Sequence, residues 1–260
     1  MKVTFYSICF NNPDYIEYQK RCLDKHCQDK EWELVAIINA SDGNMRQALE
    51  QRCRQVGITY HINPQPDHSL AGLSHISAIN WAWQAIISKQ EGYIGIFDHD
   101  MFAIKDFLVD IILNDYVFNS VQKEYVLAGI NQSKESEGRR VEYFHPGLFF
   151  ADMTQMQNKE MLNFDGGYVD EVKVDVGGQT AMYIRDNNPT VKWLQCHAVK
   201  SEHRDLLEQS MIDYYDEEYH SEIIANTFFH VRIGSNWIAI SPEKWQQRNE
   251  LMMATLKKYL

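Results

Sequence analysis

Residues 3–98 alternate strand-like and helix-like segments joined by short connections, and this alternation narrows the folds open to the chain more than any other feature. Consecutive parallel strands need a crossover of roughly a dozen residues, usually a helix. Residues 3–10 form an apolar run broken by Asn11-Asn12-Pro13-Asp14, and residues 15–27 follow with helical periodicity. Residues 33–39 are a second strand ending in Ala40-Ser41-Asp42-Gly43-Asn44, and residues 45–56 a helix closed by Gly57. Residues 58–63 form a third strand. After a loop with Pro64, Pro66 and Gly72, a helix over about 73–89 leads to a fourth strand that delivers Asp98. The predicted class is α/β. In such sheets ligands sit off the carboxyl ends of the strands, so residues 7–12, 39–44, 64–75 and 98–100 are expected to share one crevice.

The second half is less regular. Residues 107–117 read as a helix, 125–130 as a strand, 146–152 as a short apolar strand, 154–162 and 177–186 as helices, and 228–233 as a late strand. Residues 242–260 form an amphipathic helix with Pro242 at its first turn. Ser133-Lys134-Glu135-Ser136-Glu137-Gly138-Arg139-Arg140 is the most polar stretch and reads as an exposed loop. With 260 residues, 45% of them hydrophobic, and no repeat or linker, the chain is read as a single domain over residues 1–260.

The 36 acidic and 25 basic residues, a net charge of −11, argue against nucleic acid or an anionic membrane as the main partner. The N-terminus runs straight into a strand with no signal-peptide pattern, and no segment approaches the roughly eighteen apolar residues that span a bilayer. The expectation is a cytoplasmic protein without a transmembrane segment. Cys9, Cys22, Cys27, Cys53 and Cys196 make no even framework and no common zinc spacing, so they are read as free thiols.

The sharpest local feature is Gly95-Ile96-Phe97-Asp98-His99-Asp100-Met101-Phe102-Ala103, where two carboxylates one residue apart interrupt an apolar run. Like charges at the edge of an apolar layer are tolerated when a cation or strong donors meet them. An Asp-X-Asp at a strand tip can hold a hard divalent ion against a phosphorylated ligand.

The order of these motifs resembles the nucleotide-sugar-dependent glycosyltransferases of the GT-A fold, particularly family 2-like members, from Val3 to about Trp237. In that family the first strand ends in a polar turn of the nucleotide pocket, as Ser7-Ile8-Cys9-Phe10-Asn11 would here. Ile37-Ile38-Asn39-Ala40-Ser41-Asp42 stands where an acidic turn reads the base, and Gly72 with Ile79-Asn80 stands where the family has a glycine and an Arg-Asn pair. Asn39-Ala40 thus replaces the acidic pair and Ile79 the arginine, with His75 one helical turn earlier as an alternative nucleotide contact. Asp98-His99-Asp100 matches the metal-binding motif of the fourth strand. His145-Pro146-Gly147-Leu148-Phe149-Phe150-Ala151 is similar to the acceptor-side floor, and residues 163–167 with 173–180 to the region that places a carboxylate opposite the donor sugar. Residues 228–237 are similar to the strand whose histidine completes metal coordination.

The resemblance implies a Rossmann-like GT-A domain with a central mixed, mostly parallel sheet. Residues 1–105 would form a nucleotide-binding half, 106–240 an acceptor-side half, and 241–260 a terminal helix. It implies a hexosyltransferase-like enzyme that uses Mn2+ or Mg2+ and a UDP- or GDP-sugar donor, with a carbohydrate or other hydroxyl acceptor. The metal ligands would be Asp98, Asp100 and His230, with Asp98 also placed to reach the ribose. Ser7, Asn11, Asn39, Asp42, His75, Asp98 and Arg232 would contact the nucleotide. Asp175 is the candidate catalytic base, with a competing role as a helix cap and with Asp165, Asp170 and Glu171 as rivals. Asp170-Glu171 otherwise reads as a solvated pair, and Asp213, Asp216, Glu217 and Glu218 as a solvated face. Residues 133–140, with Lys134, Arg139 and Arg140, read either as a hairpin tip or as a lid over the diphosphate. Trp81, Trp83, Trp193 and Trp237 are candidate sugar-stacking rings, with packing as the other reading for the helical pair. Two further functions fit the scaffold: a non-catalytic nucleotide-sugar or glycan-binding module, and a sugar-phosphate nucleotidyltransferase. The second normally needs a glycine-rich basic loop, and residues 7–15 contain neither glycine nor a basic residue.

Overall fold

Strand β1 (Val3–Cys9) is buried at all seven positions, as a strand covered on both faces must be. Its side chains divide with period two. Val3, Phe5 and Cys9 enter one core cluster, and Tyr6 and Ile8 the other. The computed structural model describes residues 2–116, 122–198, 221–231 and 241–259.

The first half follows the predicted alternation. After β1 come α1 (Pro13–His26), β2 (Trp32–Ile38), α2 (Gly43–Val56), β3 (Thr59–Ile62), α3 (Ala71–Ala85) and β4 (Tyr93–Asp98). Local chemistry sets these boundaries. The Asn12 side chain accepts from Asp14 N and Pro13 opens α1, while Asp42 caps α2 by accepting from the N–H groups of Asn44 and Met45. Gly57, at φ +70°, ends α2 in the left-handed conformation. The predicted helix over 73–89 stops at Ala85 and is followed by a separate 3-10 turn, Ile87–Lys89.

Next are β5 (Met101–Ala103), α4 (Val109–Ile112), β6 (Asn114–Tyr116), β7 (Gln122–Glu124), β8 (Leu127–Ser136), β9 (Arg139–Asp152), β10 (Gly167–Val169) and β11 (Val172–Val174). The described chain is completed by α5 (Thr180–Asn187), β12 (Val191–Leu194), β13 (Cys196–Ala198), β14 (Ser221–Ile224), β15 (Phe228–Val231) and α6 (Pro242–Tyr259). The central sheet runs β12-β8-β9-β4-β1-β2-β3. Four of its pairings are parallel and two antiparallel, so the sheet is mixed and mostly parallel as expected. A second, antiparallel sheet runs β13-β14-β15-β5.

The core lies on both faces of the central sheet. On one side Phe5, Phe97, Phe107, Phe150 and Phe228 form a chain of ring contacts; on the other Trp83 packs edge-on to Phe149 and Phe164. Gly95 lets the first group close up, since a Cβ there would lie 2.7 Å from the Phe5 ring and 3.1 Å from Phe150.

The larger departures from expectation fall in the second half. The helix expected over 107–117 is only α4, because the Asn114 amide donates to Asp110 O at 2.6 Å and the chain turns into β6. Residues 133–140 are not an irregular loop but the exposed hairpin tip of the other reading. They are the end of a hairpin whose strands meet at Glu137-Gly138, both with positive φ as a two-residue hairpin turn requires. The helix expected over 154–162 is a set of turns with one 3-10 turn, Lys159–Met161; Asp152 holds them by accepting from Thr154 N and Gln155 Nε2. The helix expected over 177–186 starts at Thr180. Gly177 sits at φ +88°, and a Cβ there would lie 2.1 Å from Phe144 O. Residues 228–233 are strand through Val231, and the rest lies outside the described residues. No described helix is long and apolar enough to cross a membrane.

Candidate metal centre at the strand tips

Asp98 is the last residue of β4, opposite Ile8 of β1, and the chain turns there before entering β5 in the other sheet. Buried groups hold this turn from beneath. Gln19 of α1, 2% exposed, donates from Nε2 to Asp98 O at 2.7 Å and to Met101 O at 2.9 Å, and its Oε1 accepts from the Ser7 hydroxyl at 2.6 Å. His99 is buried, and its Nδ1 accepts from Phe10 N at 2.6 Å, so a neutral ring carries its proton on Nε2. Burial lowers the His99 pKa to about 4 against the opposing charges of Asp100 and Asp98, so the ring is neutral near pH 7.

His230 of β15 completes the group. Its Nε2 lies 3.5 Å from Asp100 Oδ1 and its Nδ1 3.0 Å from Glu222 Oε2. Backbone hydrogen bonding from Val231 N to Asp100 O, 3.0 Å, fixes β15 against the turn. Asp98, Asp100 and His230 each offer a ligand atom within 4.8 Å of the others, and Asp100 and His230 are buried. Burial opposes a charge on His230, yet its hydrogen bonds to Asp100 and Glu222 and their charges win, pushing its pKa up to about 10. Two carboxylates with one imidazole are a donor set that fits a divalent cation.

Two more histidines border Asp98. His75 Nε2 is 3.2 Å from Asp98 Oδ1, close enough for a charge contact but without hydrogen-bond alignment. His145 of β9 sits beside the register shift between Gly129 and Ile130, an irregularity that re-aims side chains at the strand end. Its Nδ1 accepts from Gly147 N at 3.1 Å, its ring centroid is 6.5 Å from that of His230, and burial lowers its pKa to about 4. A Cβ at Gly147 would meet Asp98 Oδ2 at 2.6 Å, so glycine is what lets β9 pass this carboxylate.

Solved structures that share part of this course include glycosyltransferases. The galactosyltransferase LgtC, in complex with donor and acceptor sugar analogues, is 11% identical over 60% of this chain and 59% of its own, with a TM-score of 0.37. The bifunctional glycosyltransferase WbbM, in its apo form, is 11% identical over 74% of this chain and 38% of its own, with a TM-score of 0.43. Mouse xyloside xylosyltransferase 1, apo, is 11% identical over 79% of this chain and 90% of its own, also at 0.43. This chain thus spans less than two thirds of LgtC and of WbbM. The sequence matches no family model and no curated protein. Likeness at this level carries no argument about donor, acceptor or site.

Asp98, Asp100 and His230 are brought together, with His75 alongside. The other expected contacts divide. Ser7 is fully buried and its hydroxyl is given to Gln19, so it braces the turn from below and does not face the crevice. Asn39, 2% exposed, donates to Ser74 O and Oγ and accepts from Asn63 Nδ2, which ties β2 to α3 and to the end of β3 and leaves little for a ligand. Asn11, at φ +47°, accepts from Ser41 N at 3.0 Å, while its Nδ2 is buried without a hydrogen-bond partner. Asp42 is exposed and caps α2; the N–H of Met45 and the Ser41 hydroxyl hold its carboxyl below the usual carboxylate range. Arg232 lies outside the described residues, as do Trp237 and the acidic run 213–218.

Asp175 is exposed in the turn before α5, and its carboxylate accepts from Val176 N at 2.8 Å; it caps no helix, since α5 begins five residues later. Asp165 accepts from Asn80 Nδ2 at 2.7 Å and Asn163 Nδ2 at 3.0 Å. Asp170 and Glu171 form the exposed β10–β11 turn and pair with Arg185 and Arg139. Trp83 is core, and Trp193 packs on Phe144.

Gln19 and Glu222 have no part in the sequence reading of the site, and His145 and Gly147 enter it only within the acceptor-side floor, not as neighbours of Asp98. One signal was present for Glu222. A hairpin centred on Ala225-Asn226-Thr227 pairs residue 222 with residue 230, but Ser221–Ile224 does not read as a strand without its partner.

Proposed function

We propose that this chain is a metal-dependent glycosyltransferase that moves a sugar from a nucleoside-diphosphate sugar to a hydroxyl acceptor. The observation that carries the reading is the meeting of Asp98, Asp100 and His230 at the carboxyl end of β4, within 4.8 Å of one another. That is where an open α/β sheet binds its ligand. Asp100 and His230 would hold the ion, with Asp98 shared between ion and ribose; oxygen donors with one imidazole suit Mn2+, or Mg2+. A bound divalent ion supplies Lewis-acid stabilisation of the charge that develops on a departing nucleoside diphosphate.

The remaining roles belong to the chain itself. Gln19 and His99 hold the turn that presents both carboxylates. The free amide of Asn11 offers a donor to the nucleotide, and Arg232 follows the histidine closely enough in sequence to serve the diphosphate. Asp175 would take the acceptor proton if the reaction inverts. Cys9, Cys22, Cys27 and Cys53 are buried free thiols, which suits a reducing cytoplasm.

Calorimetry with UDP and GDP, with and without Mn2+, tests the reading, followed by metal-dependent hydrolysis of a panel of UDP- and GDP-sugars. The expected result is nucleoside-diphosphate binding that needs the metal and hydrolysis of one donor class. No metal-dependent binding of either diphosphate refutes it, and binding without turnover of any donor would leave a nucleotide-sugar-binding module.

A further inference from the structure

We infer that Glu222 is a positioning residue for the cation site, holding the His230 ring so that Nδ1 carries the proton and Nε2 faces Asp100 and the ion. This rests on the metal reading above and extends it. Glu222 and His230 are direct cross-strand partners in the β14–β15 hairpin, whose tight turn carries Ala225 and Asn226 at positive φ and so fixes the register. Glu222 Oε2 lies 3.0 Å from Nδ1, and the two side chains are 17% and 7% exposed. An imidazole that binds a cation keeps one N–H and one lone pair, so the ion takes the place of the proton that His230 Nε2 otherwise shares with Asp100. If Nδ1–H donates to Glu222, the lone pair is on Nε2, the atom 3.5 Å from Asp100 Oδ1.

Glu222 is not itself a member of the mutually close ligand group, which consists of Asp98, Asp100 and His230. It contacts the far nitrogen of the ring. A carboxylate behind a ligating histidine fixes the tautomer and raises the basicity of the ligating nitrogen, and loss of such a partner typically weakens metal binding about 10–100-fold.

The test measures Mn2+ affinity by calorimetry for the wild-type chain, Glu222→Ala and Glu222→Gln, each checked for folding by circular dichroism. The glutamine oxygen still accepts from Nδ1–H, so Glu222→Gln is expected to lose less than about tenfold and Glu222→Ala about 10–100-fold. Histidine ¹⁵N NMR of the Zn2+-loaded wild-type chain is expected to show His230 protonated on Nδ1. Equal affinity in Glu222→Ala and wild type overturns the inference alone, as does an Nε2–H tautomer with metal bound. A loss in Glu222→Gln as large as in Asp100→Asn would make Glu222 a ligand and overturn it too. A folded wild-type chain that takes up no Mn2+ overturns the metal reading and this inference with it. If Glu222→Ala does not fold, Glu222→Gln and the tautomer decide.

Discussion

Replacing Gln19 by methionine tests whether the Asp98–Asp100 turn is held from below. Methionine keeps nearly the same length and removes every polar atom from a side chain that is 2% exposed. Two carbonyls, Asp98 O and Met101 O, would lose their donor, and the Ser7 hydroxyl its acceptor. A buried carbonyl left unpaired costs about 1–3 kcal/mol, so the two together cost about 2–6 kcal/mol. Ser7 adds less, because its Oγ still accepts from the Cys9 thiol at 3.4 Å. Guanidinium denaturation should therefore show a loss of about 2–6 kcal/mol. For a chain of 260 residues about 3 kcal/mol corresponds to a fall in Tm of roughly 5 °C. Because Ser7 and Gln19 share a hydrogen bond, Ser7→Ala in the Gln19→Met background should cost much less than Ser7→Ala alone. Metal affinity should fall with stability, since the same carbonyls frame the ligand turn. A stability loss below about 1 kcal/mol, or costs for the two substitutions that add within about 0.5 kcal/mol, would refute the bracing argument.

Asp100→Asn should abolish Mn2+ binding by calorimetry while leaving the circular dichroism spectrum unchanged, because Asp100 is the buried carboxylate of the ligand group with Asp98 and His230. Gly147→Ala should lower Mn2+ affinity more than it lowers stability, because the added methyl would lie 2.6 Å from Asp98 Oδ2; an unchanged affinity would show that Asp98 moves aside freely. Gly177→Ala places a methyl 2.1 Å from Phe144 O at φ +88° and should cost more than about 3 kcal/mol, or prevent folding, by the same denaturation assay. Burial pushes the Cys22, Cys27 and Cys53 thiols up to about 12 and Cys9 further, so at pH 8 they are protonated. A thiol reagent should modify these four only as fast as the chain unfolds, and rapid native-state modification of all four would contradict their burial.

The first half of the fold is legible because its signals are local. Asn12-Pro13, Asp42 and Gly57 mark helix ends with chemistry that acts within a few residues. Asp98 and Asp100 stand out for the same reason, two charges inside an apolar run. The second half is decided by partners distant in sequence. Met101-Phe102-Ala103 is a strand only because Phe228, Phe229 and His230 lie beside it, and Ser133–Ser136 extends a strand although both faces are polar, because Arg139–Glu142 completes its ladder. Ser7 and Asn39 illustrate a subtler loss. Polar residues at strand tips read as ligand contacts, yet each is consumed by a buried partner, Gln19 or Ser74, that spacing alone does not identify.

The Asp98–Asp100 turn is also the seam between the two sheets: β4 belongs to the large sheet, and β5, hydrogen-bonded to β15, to the small one. A cation held by Asp98, Asp100 and His230 would rivet one sheet to the other across a single three-residue joint. Its effect would then register well away from the joint, as slowed amide exchange along β14 and β15 and along the end of β4, so that occupancy of one small pocket governs how firmly two halves of the molecule are clasped.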